Sequence, residues 1–354
     1  MLRGRVWAGG AAAPVDDAAV VLDEVGRVAR IGPAAAVGEV GGLPILGAAT
    51  AWIGPGVVDA HVHLAFGSPA DVVAGGVTSA RDLGAPMSAA MQWRTPDRSL
   101  SSPHVGVAGP IVTAPGGYPS RSWGRDGFAV FAADAAAAHA VVAQLAGQVD
   151  VVKLALEPAG GPVPGVDVAV AVVRAAHEAG LAVTAHALTA ATVATALAAG
   201  VDELAHMPVE PLGPDLVEAI AAADMLVVST IQTFVSSGGS AGEAALANAR
   251  ASHGAGVRIA YGSDLGNTGT TPGVDPGELR HLAAIGLGAG GALRAATEVA
   301  ATAAGVRGGR GRLIVGAPAD LVVLTGDPTN EPDRWRHPLA VFVDGRLMAA
   351  RPIG

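Results

Sequence analysis

The stretch GPGVVDAHVHLA, residues 54–65, places two histidines two positions apart at the end of an apolar run rich in β-branched residues. This composition is typical of a buried β-strand. Alternate side chains of a strand share one face, so His61 and His63 project together, with Asp59 on the same face. The two histidines are either metal ligands or polar residues where a strand reaches the surface.

Further apolar segments follow this one at intervals of a few tens of residues, with alanine-rich helical segments between several of them. Residues 166–180 and 189–200 are two such helices, and each ends in glycine, which suits a helix C-cap. Eight strands alternating with helices over about 250 residues are typical of an α/β fold of the (β/α)8 TIM-barrel type, with a doubly wound sheet as the competing fold. The predicted strands are 56–62, 77–83, 104–112, 149–156, 181–187, 201–206, 225–231 and 257–262.

Both ends of the chain have a different pattern, with short strands and turns. Residues 4–31 read as strands broken at Gly26, and strands return in the tail after two further helices. We therefore expect residues 1–54 and 310–354 to build one small β-sandwich module and residues 55–309 to form the catalytic barrel.

Composition limits the classes of function. The chain has 354 residues, 51% of them hydrophobic, a net charge of −9 and only 22 basic residues. A nucleic-acid or anionic membrane surface is therefore not expected, and a small-molecule substrate is. No apolar run reaches the roughly 20 residues that span a bilayer, and no secretory signal is evident, so we expect a cytoplasmic protein. The oligomeric state stays open, a homo-oligomer included.

The chain has no cysteine, which excludes disulfides, thiolate zinc sites and a cysteine nucleophile. Four more polar residues end or nearly end separate predicted strands, and these are Lys153, His186, His206 and Asp264. In a parallel barrel the carboxyl ends of the strands meet at one mouth. One such histidine is more often structural, but six convergent residues favour a metal centre, and imidazole with carboxylate suits zinc and similar divalent ions.

Lys153 has two interpretations. A protonated lysine offers no lone pair to a metal, but burial beside positive charge lowers the pKa of its amine. The free amine could then react with carbon dioxide to give N6-carboxylysine, whose two oxygens could bridge two metals. The alternative is a structural lysine in an ion pair, with Glu157 as its partner.

Taken in order, these segments resemble the amidohydrolase superfamily. GPGVVDAHVHL is similar to its His-x-His strand, VDVVKL to its carboxylated-lysine strand, VTAHALTAATVATALAAGVDELAH to its paired histidine strands, and YGSDLGN to its last-strand aspartate. GVTSARDLG and AGPIVTAPGG resemble the imidazolonepropionase-like or prolidase-like branch, and GRLIVGAPADLVVLTGDP resembles the C-terminal β module of the family.

The resemblance implies a site with two divalent metal ions, zinc being the expected metal. His61 and His63 would hold the more buried ion, His186 and His206 the more exposed one, and carboxylated Lys153 would bridge them. Asp264 would ligate the first ion and act as general base and acid for a metal-bridging hydroxide. The reaction would be hydrolysis of an amide, lactam, ester or lactone in a small, fairly apolar molecule, with a C–N bond favoured.

The pocket departs from that family pattern. Leu188, Tyr118 and Pro272 stand where many members have a histidine, so the substrate pocket has lost polar groups. Candidate substrate-binding residues on the predicted βα loops are Tyr118, Arg121, Trp123, Gln232 and Asn267, with Phe234 beside them.

Two competing functions remain. GGSAG, residues 238–242, matches the Gly-x-Ser-x-Gly pattern and would make Ser240 the nucleophile of a serine hydrolase, although it lies about ten residues past its nearest strand. A metal-bearing protein that only binds its ligand is the other. GLGAGG, residues 286–291, matches a dinucleotide-binding pattern but follows a helix instead of a strand, so we interpret it as a helix connector.

Overall fold

A computed structural model describes residues 1–38, 50–94, 101–267 and 269–351. The strands in these ranges are β1 (Leu2–Val6), β2 (Val15–Leu22), β3 (Val28–Pro33), β4 (Trp52–Pro55), β5 (Val57–Val62), β6 (Val77–Asp82), β7 (His104–Val107), β8 (Ile111–Thr113), β9 (Ala129–Phe131), β10 (Val152–Ala155), β11 (Val183–His186), β12 (Glu203–Leu204), β13 (Leu226–Val228), β14 (Ile259–Ala260), β15 (Leu321–Leu324), β16 (Ala340–Val343) and β17 (Arg346–Ala350).

The helices in the same ranges are α1 (Ala34–Val37), α2 (Pro69–Ala74), α3 (Met87–Arg94), α4 (Ala135–Leu145), α5 (Val166–Glu178), α6 (Ala190–Ala199), α7 (Pro214–Ala222), α8 (Ile231–Ser237), α9 (Ser240–Gly254), α10 (Pro276–Leu282), α11 (Gly288–Arg294) and α12 (Ala300–Ala303). Short 3-10 turns span Leu64–Phe66, Pro158–Gly160 and Pro332–Arg336, and π-helical turns span Ala283–Leu287 and Ala295–Val299.

The central part of the chain is an α/β fold with parallel sheets, consistent with a TIM-barrel-like domain. One sheet has the order β5-β6-β7, and the other has the order β14-β13-β12-β11-β10-β8-β9. Every strand pair in both sheets is parallel. Helices such as α4, α5, α6 and α7 lie between consecutive strands along the chain, as parallel connections require.

Each of the eight predicted strand segments contains a strand, but the strands are shorter than predicted. The third segment is split into β7 and β8, and Gly109, with a φ of +64°, lies between them. A residue in this left-handed conformation cannot continue a strand. The structure also adds β9, which the sequence did not indicate.

Helix ends follow the predicted signals. α6 begins with a capping box in which Thr189 and Thr192 bond each other's backbone, and it ends at Gly200, whose φ of +77° is left-handed. The GLGAGG segment follows a helix, as predicted, and spans the end of the π-helical turn Ala283–Leu287 and the first four residues of α11. Gly286 breaks the helical path there with a φ of +121°.

Strands from both ends of the chain form a third sheet, with the order β17-β16-β15-β4-β1-β2-β3. β4 joins the two ends, because it pairs in parallel with β1 and antiparallel with β15. The buried hydrophobic cluster of this sheet includes Leu2, Val20, Ile53, Leu321 and Val323. The second layer of a sandwich and the domain boundaries at residues 54 and 310 stay predictions.

A buried ion pair crosses the parallel strands. Arg81 of β6 bonds Glu203 of β12, and the two residues are only 2% and 6% exposed. Arg81 Nε also donates to the Ala60 carbonyl at 2.9 Å, and Thr184 Oγ1 donates to Glu203 Oε1 at 2.6 Å. The charges are therefore both paired and hydrogen-bonded, which is the condition for burying them.

Replacing Arg81 with Met should destabilise the fold by about 3–5 kcal/mol, because Glu203 would keep a buried charge without its partner. Urea unfolding measures this change. Arg174→Met is the matched control, since Arg174 pairs with Glu178 on the exposed face of α5 and should change the free energy of unfolding by less than about 0.5 kcal/mol. Equal effects of the two substitutions would contradict this interpretation.

Candidate metal centre

The predicted polar residues converge at the carboxyl ends of the parallel strands. His61 lies within β5, Lys153 within β10, and His186 ends β11, while His206 and Asp264 closely follow β12 and β14. With His63 they make six residues that are each at most 7% exposed. Six ionisable or polar side chains are thus largely removed from water at one place.

Their inward atoms form two neighbouring groups. In the first, His61 Nε2 lies 3.3 Å from His63 Nε2, and Asp264 Oδ1 lies 3.3 Å and 3.7 Å from these two nitrogens. In the second, His186 Nδ1 lies 3.1 Å from His206 Nε2. Asp264 also lies beside the second group, because its Oδ2 is 3.8 Å from His206 Nδ1, the ring nitrogen that does not face His186. Single ligand atoms of His61, His206 and Asp264 all lie within 4.8 Å of one another.

The other ring nitrogen of each histidine contacts an oxygen acceptor. The four pairs are His61 Nδ1 with the Ala205 carbonyl at 2.8 Å, His63 Nδ1 with the Gly84 carbonyl at 3.4 Å, His186 Nε2 with Glu157 Oε2 at 3.1 Å, and His206 Nδ1 with Thr230 Oγ1 at 3.1 Å. An outer N–H that donates to such an acceptor leaves the inner nitrogen with a free lone pair. This is the arrangement of metal-binding histidines.

Burial keeps these imidazoles neutral. Desolvation lowers the pKa of all four rings, that of His63 to about 3, and nearby Lys153 lowers each pKa further. Neutral rings whose lone pairs face one another across about 3 Å repel each other, and a cation between them would remove that repulsion. The donor set therefore fits divalent metal ions.

Lys153 fits the same conclusion. Its Nζ is buried and, within the part of the chain that the structure describes, has no hydrogen-bond partner. Burial lowers the pKa of the amine to about 7, although Asp264 opposes the shift. Glu157, the partner of the structural alternative, instead contacts His186 and the Ala159 amide, so the ion pair between Lys153 and Glu157 is not formed.

Lys153 is also the single lysine of the chain, beside 21 arginines. Arginine stays protonated in proteins, so it cannot offer the neutral amine that carbon dioxide requires. The one lysine of the chain thus stands in the candidate site, which agrees with a chemical use of its amine.

Two residues of the site have strained backbones. Asp264 has a φ of +53° and Thr230 a φ of +43°, in the left-handed region that non-glycine residues rarely adopt. The Asp264 amide donates to the His61 carbonyl at 2.9 Å, and Asn267 Nδ2 donates to the Asp264 carbonyl at 3.1 Å. These bonds hold the carboxylate toward the histidines. Such strain persists where the surrounding structure fixes it, as at functional sites.

A cavity of about 800 Å³ is lined by five of the six residues, all but His61. Its wall is mainly apolar and includes Phe66, Ile111, Tyr118, Trp123, Leu188, Val209 and Phe234. Among the five predicted substrate-binding residues, Tyr118, Trp123 and Asn267 line it. Arg121 and Gln232 do not, and Gln232 is instead bonded to His281 and Ser236 on α10 and α8.

Two aromatic residues cover the two donor groups. The Trp123 ring lies 5.1 Å from His63, and the Tyr118 ring lies 4.8 Å from His186. Trp123 Nε1 donates to Tyr118 Oη at 2.9 Å, so the two rings are fixed to each other. They cover part of the polar floor of the cavity.

Sequence reasoning missed three residues of the site. Thr230 contacts His206, Glu157 contacts His186, and Glu210 lines the cavity. Thr230 and Glu157 lie two residues past a strand end and Glu210 lies six residues past β12, but a single hydroxyl or carboxylate in such a loop is too common to stand out. Ser240 is exposed at the first turn of α9 and does not line the cavity, so the structure gives the serine-hydrolase alternative no support.

Comparison with known proteins gives one family match and several similar solved structures. The sequence model of the Amidohydrolase family matches residues 52–348. Similar solved structures include a Xaa-Pro dipeptidase with bound methionine in the active site (19% identity, 98% of each chain, TM-score 0.84), a prolidase complexed with N-methylphosphonate-L-proline (22% identity, 99% of each chain, TM-score 0.81) and A. niger ochratoxinase (19% identity, 100% of this chain and 96% of that chain, TM-score 0.78). No curated protein sequence matched.

The parallel α/β fold is consistent with a TIM-barrel-like domain, and the buried donor cluster fits a metal centre. The family match extends over most of the chain, so this chain belongs to the amidohydrolase family. The predicted resemblance to the amidohydrolase family is confirmed, and this family supports a C–N bond hydrolase. The likeness to the prolidase-type structures is a likeness of fold. A membrane-spanning helix needs about 20 apolar residues, and none of the described helices meets that requirement.

Replacing Lys153 with Met should raise the free energy of unfolding of the metal-free protein by about 1–3 kcal/mol, because a buried amine without a partner is replaced by an apolar group of similar length. Urea unfolding in the presence of a chelator measures it. If Lys153 were a structural lysine in an ion pair, the substitution would lower the free energy of unfolding. A loss of several kcal/mol would therefore contradict a chemical role for the amine.

Proposed function

We propose that this protein is a binuclear metal-dependent hydrolase that cleaves a C–N bond in a small, fairly apolar amide or lactam. The observation that carries the proposal is the pair of inward-facing donor groups beside the Lys153 amine and Asp264 Oδ1, two buried atoms that have no hydrogen-bond partner among the described residues. Esters and lactones present the same carbonyl to attack and are secondary candidates.

The residues divide naturally between two ions, for which zinc is the expected identity. His61, His63 and Asp264 would hold one ion, His186 and His206 the other, and Lys153 would bridge them as N6-carboxylysine. Metal ions held there would activate water near neutral pH and polarise the scissile carbonyl.

The chain's own groups complete the chemistry. Asp264 Oδ1 has no hydrogen-bond partner among the described residues, so it is free to take a proton from the attacking water and pass it to the leaving nitrogen. Tyr118 and Trp123 would limit the access of bulk water and pack against the substrate. Asn267 would support the backbone that aims Asp264.

The charges of the cavity favour an uncharged or cationic substrate. Among the described residues, Lys153 is the one lysine or arginine in the lining, while Glu157 and Glu210 add negative charge. In the described part of the lining, a substrate carboxylate would find no free lysine or arginine, only the proposed metal ions. Bound methionine and a proline phosphonate in the related structures support testing aminoacyl compounds as well.

We propose a closed eight-stranded barrel for residues 55–309 and a sandwich module for residues 1–54 and 310–354. Hydrogen bonds between the strand bearing His61 and the segment after β14 support closure, since the His63 amide donates to the Leu265 carbonyl at 2.8 Å. Contacts between β3 and the segment before β15, through Val28 and Ala317, support a module that folds back on itself.

Metal analysis combined with a substrate panel tests the function. We expect about two zinc-type ions per chain and hydrolysis of neutral N-acyl amides or lactams faster than of their carboxylate-bearing analogues. Activity should disappear with a chelator, return with metal and resist serine-directed inhibitors. Metal binding without any hydrolysis would favour the ligand-binding alternative, and inhibition by a serine reagent alone would favour Ser240.

Replacing Asp264 with Asn should lower kcat by about 100- to 10,000-fold, because the amide cannot accept the proton. Metal content, measured by elemental analysis, should stay largely intact. Asp264→Asn keeps the size of the side chain. Asn267→Ala, which removes the hydrogen bond from Asn267 Nδ2 to the Asp264 carbonyl, is the control for an effect of loop position alone. Near-normal turnover by Asp264→Asn would exclude this role.

A further inference from the structure

We infer that Glu157 is a positioning residue that strengthens metal binding on the His186 side of the centre and leaves the His61 side unaffected. The inference rests on the proposed function, because it assumes that the histidines hold metal ions. It assigns a role to a carboxylate that lines the cavity without belonging to the proposed ligand set.

The acceptor of His186 differs from those of the other three histidines. His61 and His63 each contact a backbone carbonyl, and His206 contacts the Thr230 hydroxyl. His186 Nε2 instead contacts the Glu157 carboxylate at 3.1 Å. A hydrogen bond to a charged acceptor is about twice as strong as a neutral one, so one of the four rings is held and polarised more than the others.

The scaffold builds this contact into the sheet. β10 and β11 pair in parallel with Ala155 opposite His186, and the Leu156 amide donates to the His186 carbonyl at 2.8 Å. Glu157 follows directly, so the strand register sets its distance from the imidazole. Its second oxygen accepts the Ala159 amide at 2.8 Å, which fixes the carboxylate from the other side.

The environment preserves the interaction. The side chains of Glu157 and His186 are 12% and 9% exposed, so water screens the contact little. Lys153 does not compete for the carboxylate, because its Nζ makes no hydrogen bond in the described part of the chain. Glu157 therefore holds the outer nitrogen of His186 and directs Nδ1 toward His206. Loss of such a carboxylate typically weakens metal affinity by about 10- to 100-fold.

Metal retention by Glu157→Gln tests the inference without relying on activity. Glutamine keeps the size and an oxygen acceptor but removes the charge. Purified wild-type and variant proteins, loaded with zinc, are dialysed against increasing concentrations of a chelator, and the zinc per chain is measured. We expect the variant to lose one of its two ions at about 10- to 100-fold lower free chelator, while the second ion follows the wild-type curve.

Glu210→Gln is the matched control. Glu210 lines the same cavity, but its carboxylate accepts the Ala190 amide at 3.1 Å and none of its described hydrogen bonds joins a histidine. It should retain both ions like the wild type. Glu157→Ala, checked for folding by circular dichroism, should show the same selective loss as Glu157→Gln.

If Glu157→Gln retained both ions as well as the wild type does, the inference would be overturned while the proposed function stayed intact. Equally weakened binding of both ions, or the same loss of zinc in Glu210→Gln, would also overturn the inference. The effect would then come from a general change of charge or from a folding defect. A wild-type protein that binds no metal would overturn the proposed function itself, and the inference with it.

Discussion

The structure depends on one electrostatic constraint, which is the burial of four neutral imidazoles, one amine and one carboxylate around a common point. Lone pairs of the histidines face one another at distances near 3 Å, and the buried Lys153 amine has no hydrogen-bond partner in the described residues. Buried polar groups normally find partners within the protein or in bound water. Divalent cations at this point, with Lys153 carboxylated, would satisfy all six side chains together.

The rest of the fold maintains that arrangement. Parallel strands bring distant parts of the chain to one end, and the Arg81–Glu203 ion pair connects β6 with β12 in the interior. Strained backbones at Asp264 and Thr230, together with the acceptors behind each imidazole, fix where the donors point. The strained backbones and buried polar groups lower the stability of the fold but hold the donor atoms in place. Tyr118 and Trp123, which are hydrogen-bonded to each other, cover part of the site.

The strand-end residues could be predicted because spacing and side-chain chemistry act locally. His61 and His63 share a strand face, and helices with clear caps, such as α6, set where the next strand begins. Strand lengths, the break at Gly109 and the added strand β9 could not be predicted, because hydrogen bonding to neighbouring strands decides them. Arg121 and Gln232 lie on loops whose side-chain directions depend on tertiary contacts, such as that between Gln232 and His281. The single lysine of the chain was a signal available from the sequence that strengthens the assignment of Lys153.

The most direct test of the central claim is X-ray diffraction from zinc-loaded crystals at the zinc absorption edge, which locates metal ions independently of any assumed ligand. The proposed binuclear centre predicts two anomalous peaks, one among His61, His63 and Asp264 and one beside His186 and His206, with extra density on Lys153 Nζ between them. An absence of peaks at the six side chains, with zinc bound elsewhere or not at all, would contradict it.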